Sequence, residues 1–294
     1  MKTVKIIVFI ALKLAYIGSY SYSGFQKQKD VVTIEEIILK SLKKAEKSIE
    51  IIGTNSFEYA GRTDKGVHAW DQTIKIQLKS DSIPNRFLYR LNAFLPKGIY
   101  FWSYAMVPKN FSPRHDAIMR HYSYFFSSKN KLDYKKILEG AKLLTGRHDF
   151  ILFSKSGSNV KSTYKTINKI DVFPLEHFYG FQFKISAKSF LWQMVRRIAG
   201  HLIELGEGKA DFSDTLSLLE GKYGEKPEPL PPDGLILEKI EYHEYIRWKI
   251  EKPIFLKMKN DFQKQLDSYI QKFNVITYFN KIQEEKMNQL SNNN

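Results

Sequence analysis

The chain has 294 residues, enough for one large domain or two modest ones with a hydrophobic core. Its 46 lysines and arginines outnumber its 31 aspartates and glutamates, and the net charge of +15 favours a nucleic acid or an anionic membrane surface as partner. The absence of cysteine excludes disulfides, zinc thiolate sites and thiol nucleophiles, and is compatible with a reducing cytoplasm.

The N-terminal segment predicts a buried strand rather than a targeting signal. Apolar residues fill positions 6–12 behind two lysines, as they do in a secretory signal peptide. However, Lys13 ends the run early and no small-residue cleavage pattern follows, so we predict a strand over 5–18. No other apolar run approaches the roughly 18 residues that a membrane span requires, so no membrane partner is expected.

A helix is predicted next, because Thr33 followed by Glu36 forms a capping box. This helix should end at about Ala45, ahead of a short apolar block around Glu50. Apolar and polar residues then partly alternate, which predicts a half-buried strand over 69–78. The other elements predicted for the first half are a helix over 82–92 and a strand over 99–107.

The second half continues the α+β pattern. Its predicted elements are strands over 121–127, 179–187 and 235–240, and helices over 134–144 and 190–205. The simplest summary is an N-terminal α/β subdomain over 1–115, which carries the acidic loop discussed below, and a C-terminal α/β subdomain over 116–252.

After Pro253 the sequence predicts a C-terminal helical extension over 253–294. Apolar residues recur there at intervals of three and four, which is typical of a helical packing face. They are Phe255, Met258, Phe262, Leu266, Ile270 and Phe273. The last residues, 289–294, are polar and are expected to fray.

The strongest candidate for chemistry is the segment Gly-Arg-Thr-Asp-Lys-Gly-Val-His-Ala at 61–69. Its glycines permit a tight loop, on which Arg62, Thr63, Asp64 and His68 offer a cation, a hydroxyl, a carboxylate and an imidazole. The alternative is an ordinary turn that enters a strand, since Asp and Gly are common turn residues.

This segment resembles the G-R-T-D-x-G-V-H-A loop of the TruA family of tRNA pseudouridine synthases. Other segments resemble motifs of that family in the same order and together span about residues 14–242. They read Y-I-G-S at 16–19 with Y-S-G-F-Q-K-Q at 22–28, R-H-Y-S-Y at 120–124, G-R-H-D-F at 146–150, T-Y-K-T-I at 163–167, F-L-W-Q-M-V-R-R-I-A-G at 190–200 and P-D-G-L-I-L at 232–237.

Some positions depart from the family pattern. Lys165 stands where the family usually has arginine, and Trp192 and Gln193 replace a more usual basic pair. Lysine keeps the attraction to phosphate but loses the bidentate geometry of arginine. We expect these changes to alter tRNA contacts and not to touch Asp64.

The resemblance implies an α+β fold, the pseudouridine synthase fold. In it two α/β subdomains surround a central, mainly antiparallel sheet, with the active site in the cleft between them. It also implies isomerisation of tRNA uridines at positions 38 to 40 of the anticodon stem-loop, by a homodimer in the cytoplasm. No cofactor is expected, because the reaction needs no redox change, and no metal, because the histidines lack the spacing of a zinc site.

The candidate catalytic residues are Asp64, Tyr122 and Arg196. The Asp64 carboxylate can stabilise or capture the electron-poor C1′ of the target nucleotide, or remove a ribose proton, and the sequence leaves these routes open. Arg196 on the predicted long helix can pair with Asp64 and keep it ionised, unless it faces solvent like Arg197. Tyr122 offers a ring for stacking on uracil and a hydroxyl that could relay the C5 proton, unless it only packs in the core, and Tyr124 is expected to support it.

The remaining site residues are expected to bind substrate. The resemblance implies that Arg62 enters the space vacated by the flipped base, whereas the alternative is a surface arginine. Thr63, His68 and Gln26 are assigned to substrate binding because they lie in the family motifs. Positive charge for a phosphate-binding surface would come from Lys27, Lys29, Arg86, Lys109, Arg114, Lys155 and Lys161.

Two rival functions stay open at this point. The nearer is a related pseudouridine synthase that modifies other RNA uridines. The more distant is a non-catalytic RNA-binding protein or chaperone, which would have no need of the Asp64 carboxylate.

Overall fold

The structure, a computed structural model, describes residues 6–18, 21–80, 82–128, 131–157, 162–175, 180–222 and 225–291. The strands are β1 (Ile7–Tyr16), β2 (Ile51–Ile52), β3 (Glu58–Tyr59), β4 (His68–Lys79), β5 (Ile99–Val107), β6 (Met119–Ser127), β7 (Gly146–Asp149), β8 (Tyr164–Pro174), β9 (Gly180–Ala187), β10 (Leu235–Glu241) and β11 (Lys249–Ile250). The helices are α1 (Ile34–Ile49), α2 (Phe87–Asn92), α3 (Tyr134–Leu144), α4 (Met194–Glu207), α5 (Phe212–Leu219) and α6 (Lys252–Ser291). None of the helices in these ranges is long and apolar enough to cross a membrane.

All of these strands belong to one sheet, in which β11, β5, β1, β4, β10, β6, β9, β8 and β7 lie side by side. The short strands β2 and β3 pair with β4 as well. Every recorded pairing is antiparallel except that of β10 with β4. The prediction of an α+β fold around a mainly antiparallel sheet with a C-terminal helix is confirmed.

Strand β10 joins the two halves of the sheet, although it comes late in the chain. Its pairing with β4 is short, with Ile236 opposite His68 and Leu237 opposite Ala69. Beyond that point the Asp71 carboxylate accepts the backbone N–H of Ile240 at 3.0 Å. The Asp71 side chain therefore continues to connect β4 with β10 beyond the last backbone hydrogen bond between them.

Two large hydrophobic clusters and one small one lie along the sheet, and the large ones concern the site. One gathers residues of β1, α1, β4, α2 and β5, and the other gathers residues of α3, β9 and α4. Tyr122 on β6 packs against both clusters and therefore marks their seam. The division of the chain into subdomains at residue 115 stays a prediction.

The sequence misplaced some boundaries and missed some elements. The prediction that the long helix starts at 190 was wrong, since α4 begins at Met194 after Gln193, whose φ of 63° is left-handed. Likewise α2 begins only after Arg86, whose φ is 55°. Side-chain periodicity does not report such backbone angles, so it extended both helices too far. Strands β7 and β8 and helix α5 were not predicted, and residue 179 of the strand predicted over 179–187 lies outside the described ranges.

Helix α6 has two unlike parts. In its first part Ile254 and Met258 are buried, and Phe262 packs against Trp70 and Tyr100. Beyond Phe262 nine of its large apolar side chains are exposed; they are Leu266, Tyr269, Ile270, Phe273, Val275, Ile276, Tyr278, Phe279 and Met287. The predicted packing face is therefore used only at the start of the helix.

Candidate active site

The loop that carries Asp64 is anchored at its centre by the N-terminal motif. The Phe25 N–H donates to the carbonyl of Thr63 at 3.0 Å, and the Thr63 hydroxyl shares a 2.7 Å hydrogen bond with that of Tyr16. Gly24 has a φ of 82°, and a Cβ there would lie 3.0 Å from the Thr63 carbonyl. A glycine is therefore required at position 24 for the two segments to lie this close.

The start of the loop is held from the sheet. Gln72 on β4 donates to the Gly61 carbonyl at 2.7 Å. Arg120 on β6 donates to the Ala60 carbonyl at 2.9 Å and to the Lys188 carbonyl at 2.5 Å. Burial lowers the pKa of Arg120 from its usual value, and the carbonyl oxygens satisfy its guanidinium. These contacts fix the backbone on which Asp64 is mounted.

His68 holds the end of the loop. Its Nδ1 accepts the Gly18 N–H at 2.9 Å, and its Nε2 lies 3.0 Å from the Asp233 carbonyl. With Nδ1 as the acceptor, Nε2 carries the proton and donates to that carbonyl. Both ring nitrogens are therefore occupied within the chain, and this geometry favours a positioning role for His68 over the substrate contact predicted from the sequence.

The Asp64 carboxylate is reached by two donors from the second half of the chain. Arg196 Nη1 lies 3.4 Å from Oδ2, so the ion pair expected from the sequence forms. Trp192 Nε1 donates to Oδ1 at 2.8 Å. The Asp64 side chain remains 29% exposed, so it is neither buried in the core nor lost to bulk solvent.

Trp192 corrects the expectation that the departures from the family pattern leave Asp64 untouched. Trp192 directly precedes Gln193, whose left-handed backbone begins α4, so the indole and the Arg196 guanidinium approach Asp64 from the same short segment. Arg196 is itself fixed, because its Nε donates to the Leu230 carbonyl at 2.6 Å. An indole N–H can only donate a hydrogen bond, so it needs an acceptor. No spacing in the sequence shows that this acceptor is Asp64.

Tyr122 completes the group from β6. Its ring meets that of Phe190 edge-on, with centroids 5.2 Å apart. Burial raises the pKa of Tyr122 to about 12, with Arg120 opposing the shift and the Asp64 carboxylate adding to it. The phenol is therefore neutral at physiological pH and keeps its proton for donation. Tyr124 is a supporting residue, since its hydroxyl donates to the Pro231 carbonyl at 2.7 Å.

Arg62 differs from its neighbours on the loop. Its side chain is exposed, and it makes no hydrogen bond or ion pair with any residue in the described ranges. Gln26 is half-buried beside Phe25, and its carbonyl accepts a long 3.5 Å hydrogen bond from Gln28. Arg62 is thus the cation of the loop whose guanidinium the fold leaves for a ligand.

The predicted phosphate-binding cations are on the surface. Six of the seven are exposed, namely Lys27, Lys29, Arg86, Lys109, Arg114 and Lys155. Lys161, like Ser19 of the N-terminal motif, lies outside the described ranges. Within those ranges no group of three His, Cys, Asp or Glu side chains could hold a metal ion.

The site thus brings together a carboxylate, a neutral phenol hydroxyl and an exposed guanidinium. A carboxylate held by a guanidinium and an indole can attack an electron-poor carbon or accept a proton. A neutral phenol on the next strand can donate or relay a proton. An exposed arginine on the same loop as the carboxylate can bind or displace a planar group.

Comparison with known proteins points to one family. The family model of tRNA pseudouridine synthases matches residues 141–243, which include Trp192 and Arg196 but not Asp64. Similarity to individual relatives covers 81–88% of the chain, a span long enough to include the Asp64 loop.

Three of the relatives are proteins named tRNA pseudouridine synthase A. The one from Methanosarcina acetivorans is 40% identical over 243 residues, 81% of this chain and 86% of its own length. The one from Methanosarcina barkeri is 39% identical over 242 residues, with the same coverage. The one from Pyrococcus horikoshii is 36% identical over 260 residues, 88% of this chain and 92% of its own.

Proposed function

We propose that this chain, which belongs to the TruA family of tRNA pseudouridine synthases, converts uridines in the anticodon stem-loop of tRNA, at positions 38 to 40, to pseudouridine. That it isomerises tRNA uridines follows from the family. The positions are our proposal and rest on the resemblance of its ordered motifs. One observation supports the active site above all: Asp64 lies on a fixed loop, where two donors from the other half of the chain reach its carboxylate.

The reaction rearranges one nucleotide without any external reactant. The bond between C1′ and N1 breaks, the uracil turns, and a bond forms between C1′ and C5. The proton of C5 is lost and N1 gains a proton, so atoms and electrons balance. The protein therefore needs to stabilise the separated sugar and to move one proton, and the site has a group for each task.

Asp64 acts on the sugar in this proposal. Its carboxylate either captures or stabilises the electron-poor C1′, or removes a ribose proton so that the base can leave. Arg196 and Trp192 hold the carboxylate oxygens and leave the side chain 29% exposed, which permits approach to a nucleotide. Both routes use the same side chain and predict the same loss when it is replaced.

Tyr122 is proposed to act on the base. Its ring lies at the seam between the two hydrophobic clusters, where a flipped uracil would stack. Its hydroxyl, kept neutral by a pKa of about 12, would relay the C5 proton.

Arg62 is proposed to hold the flipped state. A nucleotide must leave its helix before its C1′ can be reached. The exposed guanidinium of Arg62 is flat and can occupy the gap that the base leaves in the stack. Thr63 and His68 then act by fixing the loop, and Gln26 contributes a polar side chain beside it.

A homodimer is proposed as the working form, with the second half of α6 as the surface that meets the second copy. Nine large apolar side chains are exposed there, more than a lone helix in water would carry without cost. Pairing two such helices would cover these side chains with those of the second copy. The cytoplasm is the expected location, because tRNA is the substrate.

The test is a tritium-release assay on tRNA labelled at uracil C5. Wild-type protein should release tritium to water, because C5 loses its hydrogen when it bonds to C1′. Asp64→Asn should lower turnover by at least about a thousandfold, because the amide is neither a base nor a useful nucleophile. Its tRNA affinity should stay within about threefold, since Asp64 contributes no positive charge to phosphate binding.

Asp171→Asn is the matched control, since Asp171 lies on β8 and pairs with Lys169 away from the site. Wild-type turnover in Asp64→Asn would exclude a catalytic role for Asp64, whereas a wild-type protein that binds tRNA but releases no tritium would favour an RNA-binding protein. Mapping pseudouridine in tRNA from a deletion strain tests the positions. Loss at sites other than 38 to 40 would assign the enzyme to the related synthases.

A further inference from the structure

We infer that Trp192 is a positioning residue for the Asp64 carboxylate, and this inference rests on the proposed function of Asp64. The indole Nε1 donates to Oδ1 at 2.8 Å, whereas the Arg196 guanidinium is 3.4 Å from Oδ2. Of the two bonds the shorter one comes from the residue that departs from the family pattern. The guanidinium supplies charge, and the indole fixes direction.

Two donors on two different oxygens restrict the rotation of a carboxylate. With Arg196 alone, the carboxylate could turn and present either oxygen to the guanidinium. The Trp192 bond prevents this exchange, because it assigns Oδ1 to the indole and Oδ2 to the arginine. Oδ2, which is held by the longer contact, is then the oxygen presented to the sugar.

Trp192 can serve this role because its own position is fixed. The backbone N–H of Lys155 donates to the Trp192 carbonyl at 2.9 Å, and the Lys155 ammonium lies 4.3 Å from the centroid of the indole ring. The left-handed Gln193 then turns the chain into α4. The indole is thus clamped between the 155 segment and Asp64, although 43% of Trp192 is exposed.

This exposure argues against a core-packing role. A tryptophan that served only to fill the core would be buried, whereas Trp192 contributes one directional bond and leaves much of its ring accessible. Its replacement should therefore act on the chemical step and have little effect on the fold.

The principal variant is Trp192→Phe, which keeps an aromatic ring under Lys155 and removes the N–H. We expect kcat for tritium release to fall about tenfold, because a misdirected catalytic group loses part of the advantage of fixed orientation. The KM for tRNA should change less than about twofold, since a donor to Asp64 adds nothing to uniform binding. Trp192→Gln, whose side chain carries an N–H donor of similar reach, should recover part of kcat.

Trp102→Phe is the matched control. Trp102 Nε1 also donates a hydrogen bond, at 2.7 Å, but to the backbone carbonyl of Trp70, and both residues pack against the first hydrophobic cluster. This variant loses the same kind of bond and should keep the wild-type kcat.

A spectroscopic readout tests the contact independently of activity. In protein labelled with ¹⁵N at the indole nitrogen, the signal that is missing from Trp192→Phe identifies Trp192. Replacing Asp64 with Ala should shift that signal and leave the Trp102 signal in place, because only Trp192 loses its acceptor. An unmoved Trp192 signal would overturn the inference.

The kinetic outcomes separate this inference from the proposed function. Wild-type kcat in Trp192→Phe, with Asp64→Asn inactive, would overturn the positioning role and leave the function intact. A raised KM at unchanged kcat would also overturn it, because Trp192 would then bind tRNA directly. Full turnover in Asp64→Asn would refute the catalytic role of Asp64, on which this inference rests, and the absence of tritium release from the wild-type protein would refute the function itself.

Discussion

The Asp64 loop, where the sequence predicted chemistry, and the second half of α6, where it predicted a packing face, differ in how many of their side chains find partners within the chain. On the loop, the Thr63 and His68 side chains and the backbone of Gly61 are hydrogen-bonded within the chain. On α6, Phe273 is 58% exposed and Phe279 is 63% exposed. The polar groups of the loop are thus bonded within the chain, whereas these apolar side chains of α6 are left uncovered by it.

This difference shows how each region has to be interpreted. The hydrogen bonds of the loop are directional, so they fix the positions of its side chains, and those positions can be compared with what a reaction requires. Exposed apolar area is non-directional and only indicates that something covers it. The loop should therefore govern turnover, and the distal part of α6 should govern association.

Arg196→Ala should have the largest effect of the substitutions that leave Asp64 in place, about a hundredfold in kcat. It removes the charge beside Oδ2 and also the donor to the Leu230 carbonyl. Tritium release at saturating tRNA measures this loss. Arg197→Ala is the control, because Arg197 donates to the Pro227 carbonyl and to Gln193 and not to Asp64. Equal losses in both variants would mean that the effect belongs to the helix and not to the ion pair.

Arg62→Ala should lower kcat/KM about tenfold and total tRNA affinity by less. The guanidinium is exposed on the loop and is proposed to act only once the base has left its helix. Equilibrium binding and turnover should be measured side by side. Lys65→Ala, at an exposed position on the same loop, should lower tRNA affinity and kcat/KM by the same factor. Its effect on both should disappear at high salt. Equal losses of affinity and kcat/KM in Arg62→Ala would contradict a role in the flipped state.

Ending the chain after Phe262 should have the smallest effect on chemistry, about twofold or less in kcat. It keeps Ile254, Met258 and Phe262, which pack on the body of the protein. It removes the exposed apolar residues, so light scattering should show a mass reduced from dimer to monomer. A truncated protein that remained a dimer would exclude α6 as the interface, and one that lost its turnover at saturating tRNA would make α6 part of the active site.

Much of the fold could be predicted, because periodicity reports which face of an element is buried. Strands β1, β4, β5, β6 and β9 and helices α1 and α3 lie where the sequence predicted them, although α1 continues to Ile49, beyond its predicted end at about Ala45. The predicted start of α4 was wrong, since a left-handed residue such as Gln193 leaves no pattern in the side chains. Strand β8 was missed although it has eleven residues, because half-exposed and exposed residues dominate it.

The site shows the same limit. Asp64, Arg62 and Tyr122 are candidates from the sequence because they stand in local motifs that bring several polar groups together within a few residues. Arg120 also stands in a motif, but its hydrogen bond to the Ala60 carbonyl joins residues 60 positions apart. Trp192 was set aside as a tRNA contact because its acceptor, Asp64, lies 128 positions away.

The sequence by itself determined the family, the kind of fold and the acidic loop, because these depend on local residue order that a motif or a period preserves. Only the tertiary structure decided that Trp192 and Arg196 both contact the Asp64 carboxylate and that the His68 ring is hydrogen-bonded within the chain. It also decided that α6 packs on the body of the protein over its first turns. Such contacts join segments that are far apart along the chain, and their existence depends on how the sheet brings the segments together. The left-handed backbone of Gln193 and the position of β10 between β4 and β6 bring these segments together. Neither feature is encoded by any short stretch of sequence.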